Sequence, residues 1–276
     1  MATEYLNEGA TTFAASAWSG SGIADSNDFI IDKRFGPIAA GLDQSGLTTG
    51  VESLQFVGSA NGTVGGGSYG PLLIDVDNSS DAKVVVRPAG GQVVLYISAA
   101  GGSGVINNLD IGPGATVYLQ GGTTTNVTID GGSLIVSGSA VVTNLYQFGG
   151  SVQLAYNSTE ATAGFVEGGF LYSERGINAL TIGHSGKVDF DPDASVSYTG
   201  NSLTMHGGMV RWYDGAIPTI TAYKGTIDFS VARRPFTPGS SAFTVGGATI
   251  KSSYLVDESN VVKVGQYSGQ TETPLP

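Results

Sequence analysis

The chain has 276 residues, 41% of them hydrophobic and 13% charged, so it can bury a core and is not an intrinsically disordered chain. Its formal net charge of −11, with the basic residues scattered, excludes the cationic surface that nucleic acids and anionic membranes require as partners. The absence of cysteine excludes disulfides and thiolate metal sites, and 43 glycines without a three-residue period exclude collagen.

The N-terminal region, residues 1–86, contains apolar strand-like segments but no regular period. The segments are FIIDK, SLQFVG, LLIDV and KVVVR. The first 22 residues lack both a basic n-region and a continuous apolar h-region, so we expect synthesis without Sec-type export. A stack of strands needs its open edges covered, so we predict that this region is a cap or attachment region with early strands.

Five apolar and aromatic residues stand out in this N-terminal region because little repeat core is available there to bury them. As aromatic and apolar side chains dominate interface energetics, we predict that they anchor the chain to a partner. The alternative is that they cap the first coil, and one segment can do both. The residues are Phe13, Trp18, Phe29, Ile31 and Phe35.

Residues 87–230 repeat one pattern, which is apolar-x-apolar, a glycine-containing corner, and then x-apolar-x-apolar. VTIDGGSLIV and LTMHGGMVRW are clear copies. The last glycine of the corner falls at Gly114, Gly132, Gly150, Gly169, Gly186, Gly208 and Gly225. The steps between these glycines lie close to 18 residues, with one longer step between Gly186 and Gly208.

Alternation with a period of two on both sides of each corner indicates two short strands with one buried face. Two such strands cannot close a core alone, but identical coils stacked on each other can. We therefore predict an all-β fold, a single-stranded parallel β-helix (β-solenoid) with coils of about 18 residues and atypical capping ends. The interior columns are Leu134, Val152, Leu171, Val188, Val210 and Ile227, and Val136, Leu154, Ser173, Phe190, Trp212 and Phe229. Residues 231–276 break the pattern and are predicted to form a C-terminal cap and flexible tail.

The column between these two interior columns is predicted to face solvent and is the natural place to look for catalytic acids. It consists of Ile135, Gln153, Tyr172, Asp189, Arg211 and Asp228. Asp189 and Asp228 would lie two coils apart, about 9.6 Å at the backbone, near the upper limit for an inverting glycosidase. Because Arg211 stands between them, we interpret the column as a surface ion-pair ladder and predict no catalytic residues.

Three other groups resemble metal sites. Both histidines share one repeat position in the column Glu167, His184, His206 and Tyr223, which suggests either a metal or pH-sensing site or a polar corner ladder. Two acidic clusters have an oxygen-rich composition, Asp75, Asp77 and Asp81 in one and Asp189, Asp191 and Asp193 in the other. Neither has EF-hand spacing, so we interpret both as solvated turns and predict no metal site and no cofactor.

The segment FAASAWSGSGIADSNDFIIDK, residues 13–33, resembles the W-S-G/N-G opening of β-solenoid structural proteins of tailed bacteriophages. GLDQSGLTTGVESLQFVGSANGTVG, GPLLIDV and the glycine-corner repeats are similar to the same group. The resemblance implies a non-enzymatic virion protein, made in the host cytoplasm, most simply a capsid decoration or cement protein. Its partner would be the major capsid protein or another virion protein, and such proteins commonly form homotrimers.

Two alternatives stay open at this point. One is a tail fibre or receptor-binding module, which would use its C-terminal surface without chemistry. The other is a carbohydrate-active β-helix, a lyase or glycosidase acting on host glycans, which would need an acid pair without an intervening arginine.

Overall fold

The computed structural model describes residues 3–7, 19, 27–35, 51–66, 70–76, 79–99, 105–155, 158–159, 161–191, 202–213, 219–232, 243–251 and 261–263. The fold is all-β, a parallel β-solenoid with about 19 residues per turn, which confirms the predicted class. None of the residues described belongs to a helix, and none of them therefore forms a helical span long and apolar enough to cross a membrane.

The residues that the structure describes form 24 short strands. They are β1 Thr3–Tyr5, β2 Asp28–Ile31, β3 Ser53–Gly58, β4 Gly62–Val64, β5 Leu72–Ile74, β6 Lys83–Pro88, β7 Val93–Ala99, β8 Val105–Ile111, β9 Ala115–Gly121, β10 Thr123–Ile129, β11 Ser133–Val136, β12 Val141–Gln147, β13 Ser151–Leu154, β14 Ala161–Val166, β15 Phe170–Ser173, β16 Ile177–Ile182, β17 Lys187–Phe190, β18 Ser202–Met205, β19 Met209–Trp212, β20 Thr219–Ala222, β21 Thr226–Asp228, β22 Phe243–Val245, β23 Thr249–Lys251 and β24 Val261–Lys263.

The strands fall into two compact units. The first comprises residues 1–144 with 157–159. One of its sheets has the parallel order β1-β2-β3-β6-β8-β10, and the other has the order β4-β7-β9-β11, with β5 also paired to β7. Each coil thus places one strand in each sheet, and the next coil adds its strand in register above the last.

The second unit comprises residues 145–156 with 160–276. Its sheets have the parallel orders β14-β16-β18-β20-β22-β24 and β13-β15-β17-β19-β21-β23. The pairing of β17 with β19 spans the longest step of the repeat, yet Val188 still pairs with Val210. The extra residues of that coil therefore leave the strand register unchanged.

The predicted interior columns are confirmed. All twelve side chains are at most 2% exposed. Leu171, Val188, Val210 and Ile227 follow one another as register partners through β15, β17, β19 and β21. The second column has aromatic side chains at three successive positions, and the ring centroids of two of them, Phe190 and Trp212, lie 4.7 Å apart. Burial of these ladders supplies the main stabilising term of the fold.

The corner glycines serve two steric needs. Six of the seven adopt a positive φ, among them Gly132 at 66°. A Cβ built on Gly132 would also lie 2.5 Å from the carbonyl oxygens of Gly112 and Ala115 on the preceding coil. Gly186 is the exception in backbone angle, but a Cβ there would collide with the carbonyl oxygen of Val166. Close passage of the neighbouring coil therefore requires glycine even where φ does not.

Phe148 sits at a corner position where other copies have polar or charged residues, so the sequence predicts a one-residue bulge before Gly150. This prediction is wrong. Gln147 is fully buried, and its side-chain amide donates to the carbonyl oxygens of Gly150 and Phe170 at 3.2 and 3.0 Å. The repeat register therefore holds, and Phe148 is 51% exposed.

The predicted region boundaries at residues 86/87 and 230/231 do not interrupt the strand ladders. β3 and β4, which lie before residue 87, pair in parallel with β6 and β7. Beyond residue 230, β22 and β23 pair with β20 and β21. The terminal regions thus contribute coils of their own, although their loops obscure the period in the sequence.

Candidate functional site

The acidic column of the second unit runs through neighbouring strands as predicted. Tyr172 pairs with Asp189, Asp189 with Arg211, and Arg211 with Asp228. Arg211 donates from Nε and Nη2 to the two carboxylate oxygens of Asp189, at 2.8 and 2.6 Å. Asp189 and Arg211 therefore form the ion pair expected from the sequence.

The exposure predicted for this ladder is wrong at Asp189. The residue is only 6% exposed, although its strand position points outward. The guanidinium of Arg211 engages both carboxylate oxygens, and the hydroxyl of Tyr213 lies 3.5 Å from one of them. A long outward side chain on the next coil thus covers a short one, which alternation of strand residues does not anticipate.

The electrostatics of the ladder favour a fixed structure. Hydrogen bonding to Asp189 raises the pKa of Arg211, with a smaller contribution from the charge of Asp228. Asp228 in turn accepts hydrogen bonds from the backbone N–H and hydroxyl of Ser230. Both carboxylate oxygens of Asp189 are thus engaged by one guanidinium, which is the geometry of a bidentate ion pair.

In the described strands of the first unit, the corresponding column carries tyrosines and an isoleucine. Tyr96 pairs with Tyr118, and Tyr118 with Ile135. The two tyrosine rings stack at 4.3 Å with an interplanar angle of 4°. Burial raises the pKa of Tyr96, and the neighbouring Tyr118 raises it further. This part of the column is an aromatic ladder that stabilises its coils by stacking.

The prediction that the two histidines share one position is wrong, because Ile182 pairs with Met205 and His206 therefore lies beside Gly183, one residue before His184. The column separates into two pairs. His184 Nδ1 lies 3.1 Å from a carboxylate oxygen of Glu167, and the imidazole is largely exposed. The ring of His206 instead stacks on Tyr223 at 5.3 Å and 12°. Within the residues described, no group of three or more His, Asp or Glu side chains is arranged to hold a metal ion.

The acidic clusters are only partly described, because Asp77 and Asp193 lie outside the described residues. Asp75 accepts a hydrogen bond from the backbone N–H of Val105 at 3.0 Å. Asp191 accepts one from the hydroxyl of Tyr172 at 3.2 Å. These carboxylates therefore make contacts that link neighbouring coils.

Two polar ladders in the first unit were missed in the sequence. Arg87 binds both carboxylate oxygens of Asp110, at 2.9 and 2.5 Å, and also Asp130 at 2.7 Å. Hydrogen bonding to Asp110 raises the pKa of the Arg87 guanidinium. Arg87 and Asp110 precede the first clear copy of the repeat, VTIDGGSLIV, and only Asp130 lies within it.

The second ladder is formed by asparagines. Asn126 donates its side-chain amide to Asn108 at 3.1 Å, and Asn144 donates to Asn126 at 3.0 Å. The members are 18 residues apart, so the signal was present as an asparagine repeating at the coil period. Both ladders hold coils in register, because each amide or guanidinium contacts groups on adjacent coils.

The predicted interface residues divide by position. Phe13 and Trp18 lie outside the described residues. Phe29 and Ile31 are fully buried, and Phe35 is 6% exposed, with its ring 5.9 Å from that of Phe56. Side chains buried in the core are not free to contact a partner, so these three positions fit the alternative role of closing the first coils.

The fold and these ladders define the chain as a parallel β-solenoid whose outward polar columns are paired from coil to coil. No protein-family model matches the chain, and searches among curated proteins and solved structures also find no match.

Proposed function

We propose that this chain is a non-enzymatic structural protein of a tailed-bacteriophage virion, a decoration protein that docks on the assembled head as a homotrimer. The observation that carries the non-enzymatic part is the bidentate Arg211–Asp189 pair. It lies in the outward column in which the sequence placed candidate catalytic acids, and Arg211 binds both carboxylate oxygens of Asp189 there.

The polar ladders support a mechanical role. Arg87 links two carboxylates on successive coils, and the asparagine ladder links three coils. Each link adds an interaction between nearest neighbours, which is the term that determines the stability of a stacked-repeat protein. A decoration protein needs this kind of resistance to local opening, because it must persist on an exposed particle.

The virion assignment is supported by the resemblance of residues 13–33 to phage β-solenoid proteins. Docking through the N-terminal segment now depends on Phe13 and Trp18, since Phe29, Ile31 and Phe35 lie in the core. Deletion of the whole segment is a poor test, because β2 pairs with β3 and its loss would uncover the buried core. Point substitution in the full chain avoids that problem.

The docking experiment is co-sedimentation of the purified full chain with pre-assembled phage heads. We expect saturable binding that Trp18→Ala weakens, while Leu73→Ala, a substitution at a 50% exposed apolar side chain of β5, leaves binding unchanged. Absence of binding to heads, with circular dichroism showing a folded chain, would contradict the decoration role.

The second experiment addresses catalysis. The wild-type chain is incubated with host surface polysaccharides, and new reducing ends and unsaturated products are measured. We expect none above the background of a heat-denatured sample. Cleavage that Asp189→Asn abolishes in a folded protein would refute the structural assignment.

A further inference from the structure

The exposed corner of the second unit carries a row of side chains that the core does not use. We name this row the corner ridge, and its members come from the same corner of five successive coils. They are Phe148, Glu167, His184, His206 and Tyr223. Because Val166 pairs with Ile182, Gly183 is the residue beside Glu167, and His184 lies one residue farther along the chain.

Each end of the corner ridge is an open aromatic ring. Phe148 is 51% exposed and meets the ring of Phe165 edge-on, with 6.0 Å between centroids. Tyr146, two residues before Phe148 on the same outward side of β12, is 40% exposed. Phe148 and Phe165 form an apolar platform, and Tyr146 lies on the same outward side of its strand. The edge-on packing leaves a face of Phe148 in solvent.

The other end is built differently but also presents a ring face. Tyr223 is 54% exposed and covers His206 on one side only. The next coil places Gly246 beside it, since the Gly246 N–H donates to Ala222. Without a side chain on Gly246, the second face of Tyr223 stays open.

Between the two platforms the ridge is polar. The carboxylate of Glu167 and the imidazole of His184 lie 3.1 Å apart and expose hydrogen-bonding atoms. Four coil steps separate Phe148 from Tyr223, which is about 19 Å at the spacing of stacked strands. The ridge is thus a narrow strip with an apolar platform at each end and polar groups in its centre.

The exposed rings at the ends of the ridge and the charged groups in its centre favour one class of binding partner over others. A stable protein partner needs roughly 800 Å² on each side and an interface core depleted of charge, whereas this ridge is narrow and has Glu167 and His184 in its centre. A polyanion would meet the carboxylate of Glu167 on a chain of net charge −11. A neutral sugar polymer is narrow and uncharged, so neither argument applies to it. Each sugar ring has an apolar C–H face and hydroxyl groups around its edge.

We propose that the corner ridge binds an extended, uncharged glycan chain without cleaving it. The apolar sugar faces stack on Phe148 and Tyr223, and sugar hydroxyls hydrogen-bond to Glu167 and His184. A glycan-binding strip would hold a particle near a polysaccharide-coated surface, and it uses other residues than the N-terminal ones proposed for docking on the head.

The test uses electrophoresis of the full chain through gels that contain a neutral polysaccharide, with mannan, β-glucan and galactomannan as probes and heparin as the anionic comparison. We expect at least one neutral polymer to retard the wild-type chain. Phe148→Ala and Tyr223→Ala should each weaken this binding about tenfold, by loss of one stacked ring. Leu73→Ala, which removes a comparably exposed side chain outside the ridge, should leave it unchanged.

Circular dichroism checks that the variants stay folded, which we expect because the substituted side chains are exposed. Retardation that survives both ring substitutions would overturn the proposal, and so would retardation by heparin alone or by no neutral probe. The chain could instead self-associate in a concentration-dependent way, bind no glycan, and lose this self-association in Phe148→Ala. That result would show that the ridge binds a second copy of the chain, and it would also overturn the glycan proposal. None of these outcomes depends on whether the chain docks on heads.

Discussion

Comparing two glycine-to-alanine substitutions separates two effects at the corners, which are the strain of a positive φ and the close approach of the preceding coil. Gly132 and Gly70 have nearly the same φ, 66° and 67°. A Cβ on Gly70 meets nothing within 4 Å, whereas one on Gly132 lies 2.5 Å from two carbonyl oxygens. Gly70→Ala is therefore a matched control for Gly132→Ala, and both residues belong to the same compact unit.

The expected magnitudes follow from these contacts. Left-handed strain costs about 1–2 kcal/mol, and the lower entropy of the unfolded alanine chain offsets about 0.4–1 kcal/mol of it. Gly70→Ala should thus lower the free energy of unfolding by about 1 kcal/mol. Gly132→Ala must in addition push two coils apart, and overpacking of this kind costs about 1–3 kcal/mol.

The assay is urea denaturation followed by far-UV circular dichroism, with the midpoints compared at equal m-values. We expect the Gly132→Ala midpoint to fall clearly below that of Gly70→Ala. If the two variants unfold at the same urea concentration, the coils do not pass as closely as described, and the reasoning from the stacked repeat is refuted.

Three further comparisons test the ladders and the core by the same assay. Asp189→Asn should lower the free energy of unfolding by about 1.5–2 kcal/mol, because it breaks a bidentate charge-assisted pair whose arginine is partly exposed to solvent. Asp228→Asn should lower it by under about 1 kcal/mol. Equal losses would contradict the burial of Asp189. Asn126→Ala should cost about 1–2 kcal/mol because it removes two amide hydrogen bonds, and a neutral effect would show that the ladder does not hold the coils. Phe190→Ala should lower the free energy of unfolding by about 3–5 kcal/mol, because it leaves a cavity in the core. Phe148→Ala, at an exposed position, should lower it by under about 1 kcal/mol. The reverse order would contradict the assigned register.

The interior of the solenoid could be predicted because alternation and glycine corners determine which residues face inward. Leu171, Val188 and Val210 are therefore buried in the order expected from the sequence. The N-terminal strands were harder to place. Asp28 and Ser53 are register partners, yet they are 25 residues apart, so loops of unequal length hide the period while the strands keep their pairing.

Features of the outward faces were less predictable, because they depend on where long side chains reach. Asp189 lies on the outward side of its strand by the alternation of side chains, but Arg211 from the next coil covers it. Phe148 looked misplaced for the opposite reason. The side-chain NH2 of the buried Gln147 donates to two backbone carbonyls, and the aromatic ring of Phe148 lies outside. The side-chain hydrogen bonds of neighbouring coils decide these positions, and a linear pattern contains no information about them.

The central claim, a structural role on the phage head, is tested most directly by locating the chain in assembled virions. Gold-labelled antibodies raised against the purified chain, or density mapped in virion reconstructions, would give its position. The account predicts regularly spaced copies on the outer surface of the head, grouped in threes. Label confined to the tail, or its absence from purified virions that contain the other structural proteins, would contradict it.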